Sequence, residues 1–336
     1  MTRLAVLGAG SWGTTFAQVL ADAGNDVVLW ARRQDVAREI AQHHTNRTYL
    51  SGRVLPEAIT ATSRITEAIE GADGLVIAVP AQALRGTLTA WREQPELAAG
   101  LPAVPVLSLT KGIERGTDAR ISEVLIQAGG AREDLVGVLS GPNLSAEIAE
   151  RRPCGSVVAA PHEDLAGTFA RWCDAPYLRA YTSTDVMGVE IAGAVKNVVA
   201  IAVGAAAGLG HGHNTTASLI TRGLAEITRL GVALGGKRET FAGLAGMGDL
   251  VATCASPLSR NHRLGLALGR GLDIEQAVAE VGQTAEGVAT ARAVADLAER
   301  LDVDMPITRS VVAVVDHGAS IEHVTTALLS RSVRPE

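Results

Sequence analysis

The chain has 336 residues, 47% hydrophobic and 20% charged, with a net charge of −6. That length suggests two domains and a large core, and an acidic balance without any dense basic block argues against a nucleic-acid partner. Three scattered cysteines, Cys154, Cys173 and Cys254, argue against a disulfide framework or structural zinc site and fit a reducing cytoplasm.

The opening "MTRLAVLGAG" has no basic region followed by a sustained apolar stretch, so no signal peptide is expected. Valine- and leucine-rich runs at 3–8, 26–30, 74–80, 104–109 and 135–141 read as buried strands, with helical patterns at 12–22, 34–42, 81–91 and 117–128 between them. Two more strands are expected at 156–160 and 177–182. Strands apolar on both faces and separated by helices make a parallel sheet covered on two sides. After about Val186 every pattern is helical. The expected fold is therefore α/β, a Rossmann-type mainly parallel sheet in 1–187, followed by a second, all-α domain in 188–336. The run at 191–210 is long enough to span a membrane. Lys196 at its depth, its many alanines and glycines and its polar flanks favour a buried helix and no membrane span.

The first strand runs into "GAGSWG", a G-x-G-x-x-G at Gly8, Gly10 and Gly13 that opens a helix. The first glycine allows the tight turn, the second the approach of a pyrophosphate, the third close helix–strand packing. The phosphates then face unpaired N–H groups at the helix start. An acid about 20 residues further on would bind a ribose 2′-OH. Here Arg32 and Arg33 end the second strand, and Asp35 comes slightly late. Two guanidiniums suit a 2′-phosphate, so NADP(H) is favoured and NAD(H) left open. A solvated loop bearing two arginines is the plainer alternative. Tyr49 is a candidate to cover the adenine end.

Further polar residues follow strands or open helices. Lys111 lies just past the 104–109 strand, where open α/β sheets gather ligands. Gly141 makes a turn after the next strand, and Asn143 and Ser145 are expected to cap the following helix. In the helical half, Asp249 sits among glycines and apolar residues. Ser259, Arg260 and Asn261 open a helix with hydroxyl, guanidinium and amide donors suited to a phosphate monoester, or form a plain cap. Arg222 and Glu226 read as an i,i+4 helix pair. Glu286 caps a helix or reaches the cofactor, and His211 with His213 is too sparse for a metal. Lys196 and Asn197 interrupt the most apolar run, where an ammonium without a partner is costly.

Taken together, "VLGAGSWGT", "LTKGIE", "LSGPN", "AGAVKNVVAI", "ITRGLAE", "GLAGMGDLVATC", "SRNHRLG", "GQTAEG" and "MPIT" resemble the bacterial-type NAD(P)-dependent glycerol-3-phosphate dehydrogenases over nearly the whole chain. The resemblance implies that Lys196 is the catalytic lysine and that Lys111 contacts substrate and cofactor. It places Gly141, Asn143, Asp249, Ser259, Arg260 and Asn261 at the substrate, a small phosphate ester. It places Ser11, Trp12, Arg32, Ser145, Arg260, Thr284 and Glu286 at the cofactor. It further implies reversible reduction of dihydroxyacetone phosphate, a supply of glycerol phosphate for phospholipids, and a cytoplasmic homodimer without a metal. Asn143 stands where some of the family carry serine or threonine, Ser145 where many have alanine, and Thr284 where an aliphatic residue is common. A β-hydroxyacid dehydrogenase of the same two-domain build and a non-catalytic NADP(H) sensor are the rival readings. The Ser-Arg-Asn block opposes the first; the presence of both lysines opposes the second.

Overall fold

The computed structural model describes residues 1–282 and 285–329. The chain divides into two compact units: Met1–Lys111 with Ala119–Glu190, and Gly112–Asp118 with the chain from Ile191 onward.

The first unit is built on an eight-stranded sheet: β1 (Arg3–Leu7), β2 (Asp26–Trp30), β3 (Ile59–Thr62), β4 (Gly74–Ile77), β5 (Val106–Ser108), β6 (Val136–Ser140), β7 (Cys154–Ala159) and β8 (Leu178–Ser183). Its order is β3-β2-β1-β4-β5-β6-β7-β8. Side chains alternate between faces as the pleat requires. Leu4 and Val6 of β1 join Phe16, Leu20, Ile40 and Phe169 in one core. Ala5 and Leu7 join Leu84, Leu88, Trp91 and Leu125 in the other. Strand order reverses between β1 and β4, and ligands of such sheets gather at the carboxyl ends beside that switch.

Two features of the sheet differ from the sequence expectation. The strand β3 was not anticipated: it is short, lies at the sheet edge, and only Ile59 of "ITAT" is buried, so it carries no apolar run. Strand β7 pairs antiparallel to β6, while the other neighbours are parallel. An apolar run reports burial on both faces and carries no information about direction. The helix expected at 117–128 spans only Ile121–Gln127. Asp118 has a left-handed φ of 54°, and the Arg120 N–H donates to the Glu123 carboxylate at 2.8 Å, which starts the helix late.

The long apolar helix spans Val186–Gly208, with Gly188 N–H donating to the Asp185 carboxylate at 2.9 Å in its first turn. Among the described residues it alone is long and apolar enough to cross a membrane, yet 78% of its most apolar window is buried in the protein. The helix Arg260–Gly269 lies directly against it: a Cβ on Gly265 would overlap the Ile201 carbonyl, and one on Gly204 the His262 carbonyl. Abundant small residues thus bring two backbones together, carrying Lys196 and Asn197 on one helix and Arg260 and Asn261 on the other. Val198, Ile201, Leu264, Leu268, Val311 and Val315 fill the core around them. Glu226, the i+4 neighbour of Arg222, is buried and accepts the N–H groups of Ile307 at 2.7 Å and Thr308 at 3.2 Å. A carboxylate satisfies the unpaired amides opening the helix Pro306–His317, a role invisible to local spacing.

Candidate active site

The glycine-rich turn leaves β1 and enters the helix Ser11–Asp22. Gly8 has φ +129°, and its Cβ would lie 2.5 Å from the Ala78 carbonyl oxygen. A Cβ on Gly13 would overlap the Gly8 carbonyl. Those two glycines are required by the fold. Gly10 is different: it has an ordinary φ of −72°, and a Cβ there would meet nothing within 4 Å. Its missing side chain leaves open space beside the first amides of a helix, the cradle a pyrophosphate needs. Trp12 packs edge-on against Phe16 at 5.4 Å, and its indole Nε1 is buried with no hydrogen-bond partner among the described residues. The turn therefore fits a dinucleotide.

Around it, the Ser11 hydroxyl donates to the Tyr49 carbonyl at 2.8 Å. Arg32 and Arg33 are exposed just past β2. Arg33 Nε donates to Asp35 at 3.1 Å and Nη2 to its other oxygen, a bidentate pair. That pairing pushes the Arg33 pKa further up and holds the Asp35 carboxyl below its usual range. The late acid is thus occupied by the arginine beside it.

Lys111 follows β5 and donates from Nζ to the Gly141 carbonyl at 3.0 Å, bringing together two residues singled out separately in the sequence. Neither Asn143 nor Ser145 caps the next helix. Leu144 holds the cap position without a side-chain bond, and Ser145 is already the first helical residue. Asn143 turns to β7, where its Oδ1 accepts from Ser156 Oγ at 2.6 Å. Its Nδ2 is buried without a hydrogen-bond partner among the described residues.

In the helical unit, Lys196 is 6% exposed and its Nζ lies 2.7 Å from Asp249 Oδ1. Nζ also donates to Thr253 Oγ1 at 2.5 Å, and Thr253 lies 3.3 Å from Asp249 Oδ1. The costly ammonium in the apolar run is thereby paired and hydrogen-bonded. A π-helical stretch, Leu244–Gly248, leads into Asp249–Ala255 and sets Asp249 at the head of that helix. Sequence reasoning missed Thr253. The signal was its i,i+4 spacing from Asp249, which places both side chains on one helix face. Burial pushes the neighbouring Cys254 thiol up to about 12, so it stays protonated.

Ser259 caps the helix Arg260–Gly269 by accepting the His262 N–H at 3.2 Å. Burial pulls the Arg260 pKa down, while the Glu286 carboxylate works against that shift. A half-buried guanidinium beside a helix N-terminus is a site prepared for an anion. Asn261 faces inward: its Nδ2 donates to Asn197 Oδ1 at 3.0 Å and its Oδ1 accepts the Gly287 N–H at 3.0 Å. It ties three helices together and sets Glu286, first residue of Glu286–Arg300, in place. Thr284 lies outside the described residues.

A protein of this build is a nicotinamide-dinucleotide-dependent dehydrogenase. Models described as NAD-dependent glycerol-3-phosphate dehydrogenase N-terminus and C-terminus match residues 3–166 and 185–326, so the chain belongs to that family. It is 52% identical to glycerol-3-phosphate dehydrogenase (NAD(P)+) of Thermobifida fusca, covering 100% of this chain and 99% of that one. Among solved structures, glycerol-3-phosphate dehydrogenase from Coxiella burnetii superimposes with a TM-score of 0.91 at 36% identity, over 98% of this chain and 99% of that one. The enzyme from Saccharomyces cerevisiae gives 0.81 at 27% identity, over 97% and 98%.

Proposed function

We propose that the protein reduces dihydroxyacetone phosphate reversibly to sn-glycerol 3-phosphate with NAD(P)H. The observation that carries the reading is the Lys196–Asp249–Thr253 cluster, an ammonium held by two oxygens in a nearly dry environment. The bound dinucleotide supplies the hydride for reduction and takes it up in the reverse direction. Lys196 Nζ donates a proton to the ketone oxygen as the carbon is reduced, and recovers it in reverse. Asp249 pairs with the ammonium, and Thr253, by accepting one of its hydrogen bonds, fixes which remaining N–H points at substrate. Arg260 with the amides opening its helix binds the phosphate and so orients the carbonyl. Lys111 adds positive charge near the developing oxyanion, with Gly141, Asn143 and Ser259 completing the contacts to the ester. Asn261 acts from behind, holding Asn197 and Glu286.

On the cofactor, Gly8, Gly10, Ser11, Trp12, Gly13 and Ser145 frame the pyrophosphate and its neighbourhood, with Tyr49 and Glu286 as further contacts. Arg32 and Arg33 favour NADP(H). The family likeness supports a cytoplasmic homodimer feeding phospholipid synthesis.

The test is turnover of NADPH and NADH with dihydroxyacetone phosphate beside a panel of β-keto acids. Activity with the phosphate ester, lost in Lys196→Ala while NADPH still binds, is the expected result. Arg260→Ala should raise KM for dihydroxyacetone phosphate steeply and barely affect unphosphorylated dihydroxyacetone. Turnover of an acid in place of the ester would overturn the substrate assignment.

A further inference from the structure

Asn46 lies in a tight turn: its carbonyl accepts the N–H of Leu50 at 2.7 Å and of Tyr49 at 3.2 Å. The residue is 1% exposed and presents no surface of its own to a ligand. Its Nδ2 donates to the Ala9 carbonyl at 3.0 Å and to Thr14 Oγ1 at 2.8 Å. One amide thus braces the glycine-rich turn on both sides, before Gly10 and after Gly13. The Ser11–Tyr49 bond is a second strut from the same short segment.

The amide orientation is forced, because the Ala9 carbonyl can only accept and so must face the nitrogen. The other end, Asn46 Oδ1, is buried with no hydrogen-bond partner among the described residues. An unsatisfied buried acceptor is unfavourable, so an asparagine chosen for stability alone would not leave one. What the arrangement achieves is orientation. In a planar trans peptide the carbonyl and the following N–H point in opposite directions. Holding the Ala9 carbonyl toward Asn46 therefore fixes the direction of the Gly10 N–H, on the residue whose missing side chain opens the cradle.

We propose that Asn46 is a positioning residue for the dinucleotide pyrophosphate, presetting the Gly10 and Ser11 amides without touching the cofactor. This rests on the reading that the turn holds the pyrophosphate. The effect belongs to the diphosphate and is independent of the 2′-phosphate, so NADPH and NADH are affected alike.

The experiment measures binding of ADP and AMP, and steady-state kinetics with both cofactors, for Asn46→Ala, Thr14→Val and Thr14→Ser. Losing one buried hydrogen bond of this kind corresponds to roughly tenfold in affinity. Asn46→Ala is expected to weaken ADP, NADPH and NADH by about that factor, leaving AMP affinity, the NADPH/NADH ratio, kcat and the KM for dihydroxyacetone phosphate unchanged. Thr14→Val, nearly isosteric but without the acceptor, should show a smaller loss of the same pattern, and Thr14→Ser should restore binding. Equal losses for ADP and AMP, or none for either, would overturn the proposal. If Asn46→Ala does not fold, the Thr14 pair decides by the same pattern. Gly10→Val is the control that separates the two readings. Should it leave ADP binding intact, the turn does not hold the pyrophosphate. Should it abolish binding while Asn46→Ala leaves ADP affinity unchanged, only the role of Asn46 fails.

Discussion

Replacing Asp249 by alanine removes the carboxylate 2.7 Å from the Lys196 ammonium and leaves that charge buried beside a neutral threonine. At this separation and an effective dielectric of about 20, the attraction lost is about 6 kcal/mol. Part of that is offset by relaxation and water entry. Breaking a buried pair by removing one partner costs about 3–5 kcal/mol, which for a unit of this size lowers Tm by about 10 °C. Adding Lys196→Met removes the stranded charge, so the double variant should recover most of the lost stability and remain inactive. The assay is thermal and urea unfolding of the four proteins in the cycle, with turnover of dihydroxyacetone phosphate measured on each. A fall of less than about 2 °C in Asp249→Ala, or a double variant no more stable than that single one, would refute the argument that the pair is buried and coupled.

Gly10→Ala should leave Tm nearly unchanged, since reduced unfolded-state entropy and a poorer cap act in opposite directions, while raising the cofactor KM at least ~10-fold by filling the cradle. Gly13→Ala should instead destabilise by about 1–3 kcal/mol, because its Cβ overlaps the Gly8 carbonyl; melts and cofactor titrations separate the two. Burial pushes the Glu226 carboxyl up to about 7 against its helix-start amides and Arg229. The folded state then binds the proton more tightly than the unfolded chain, so this contribution is full below about pH 4.5 and lost as pH rises through about 7. Glu226→Gln should flatten that fall in a Tm-against-pH series, and an unchanged slope would count against it. Replacing Arg32 and Arg33 together by alanine should weaken NADPH much more than NADH; an equal loss for both would remove the arginines from the 2′-phosphate.

Much of the first unit was legible in the chain because its signals are local. Val27 to Trp30 and Val136 to Leu139 are apolar on both faces and read as buried strands, and the spacing of Gly8, Gly10 and Gly13 announced a turn between strand and helix. The anomaly of Lys196 was equally plain, since one charge in an apolar helix needs a partner wherever that partner comes from. Which residue supplies it was not local. Asp249 and Thr253 reach Lys196 from a helix more than fifty residues away in sequence, and Glu226 meets the start of a helix some eighty residues on. The purpose of each glycine was hidden in the same way. Only the packed backbone distinguishes Gly8 and Gly13, pressed against carbonyls, from Gly10, which faces open space. The sequence by itself determined the elements, the turn and the residues whose chemistry demanded company. The tertiary structure decided the company, because hydrogen bonds and ion pairs depend on distances that chain folding sets and linear spacing does not encode.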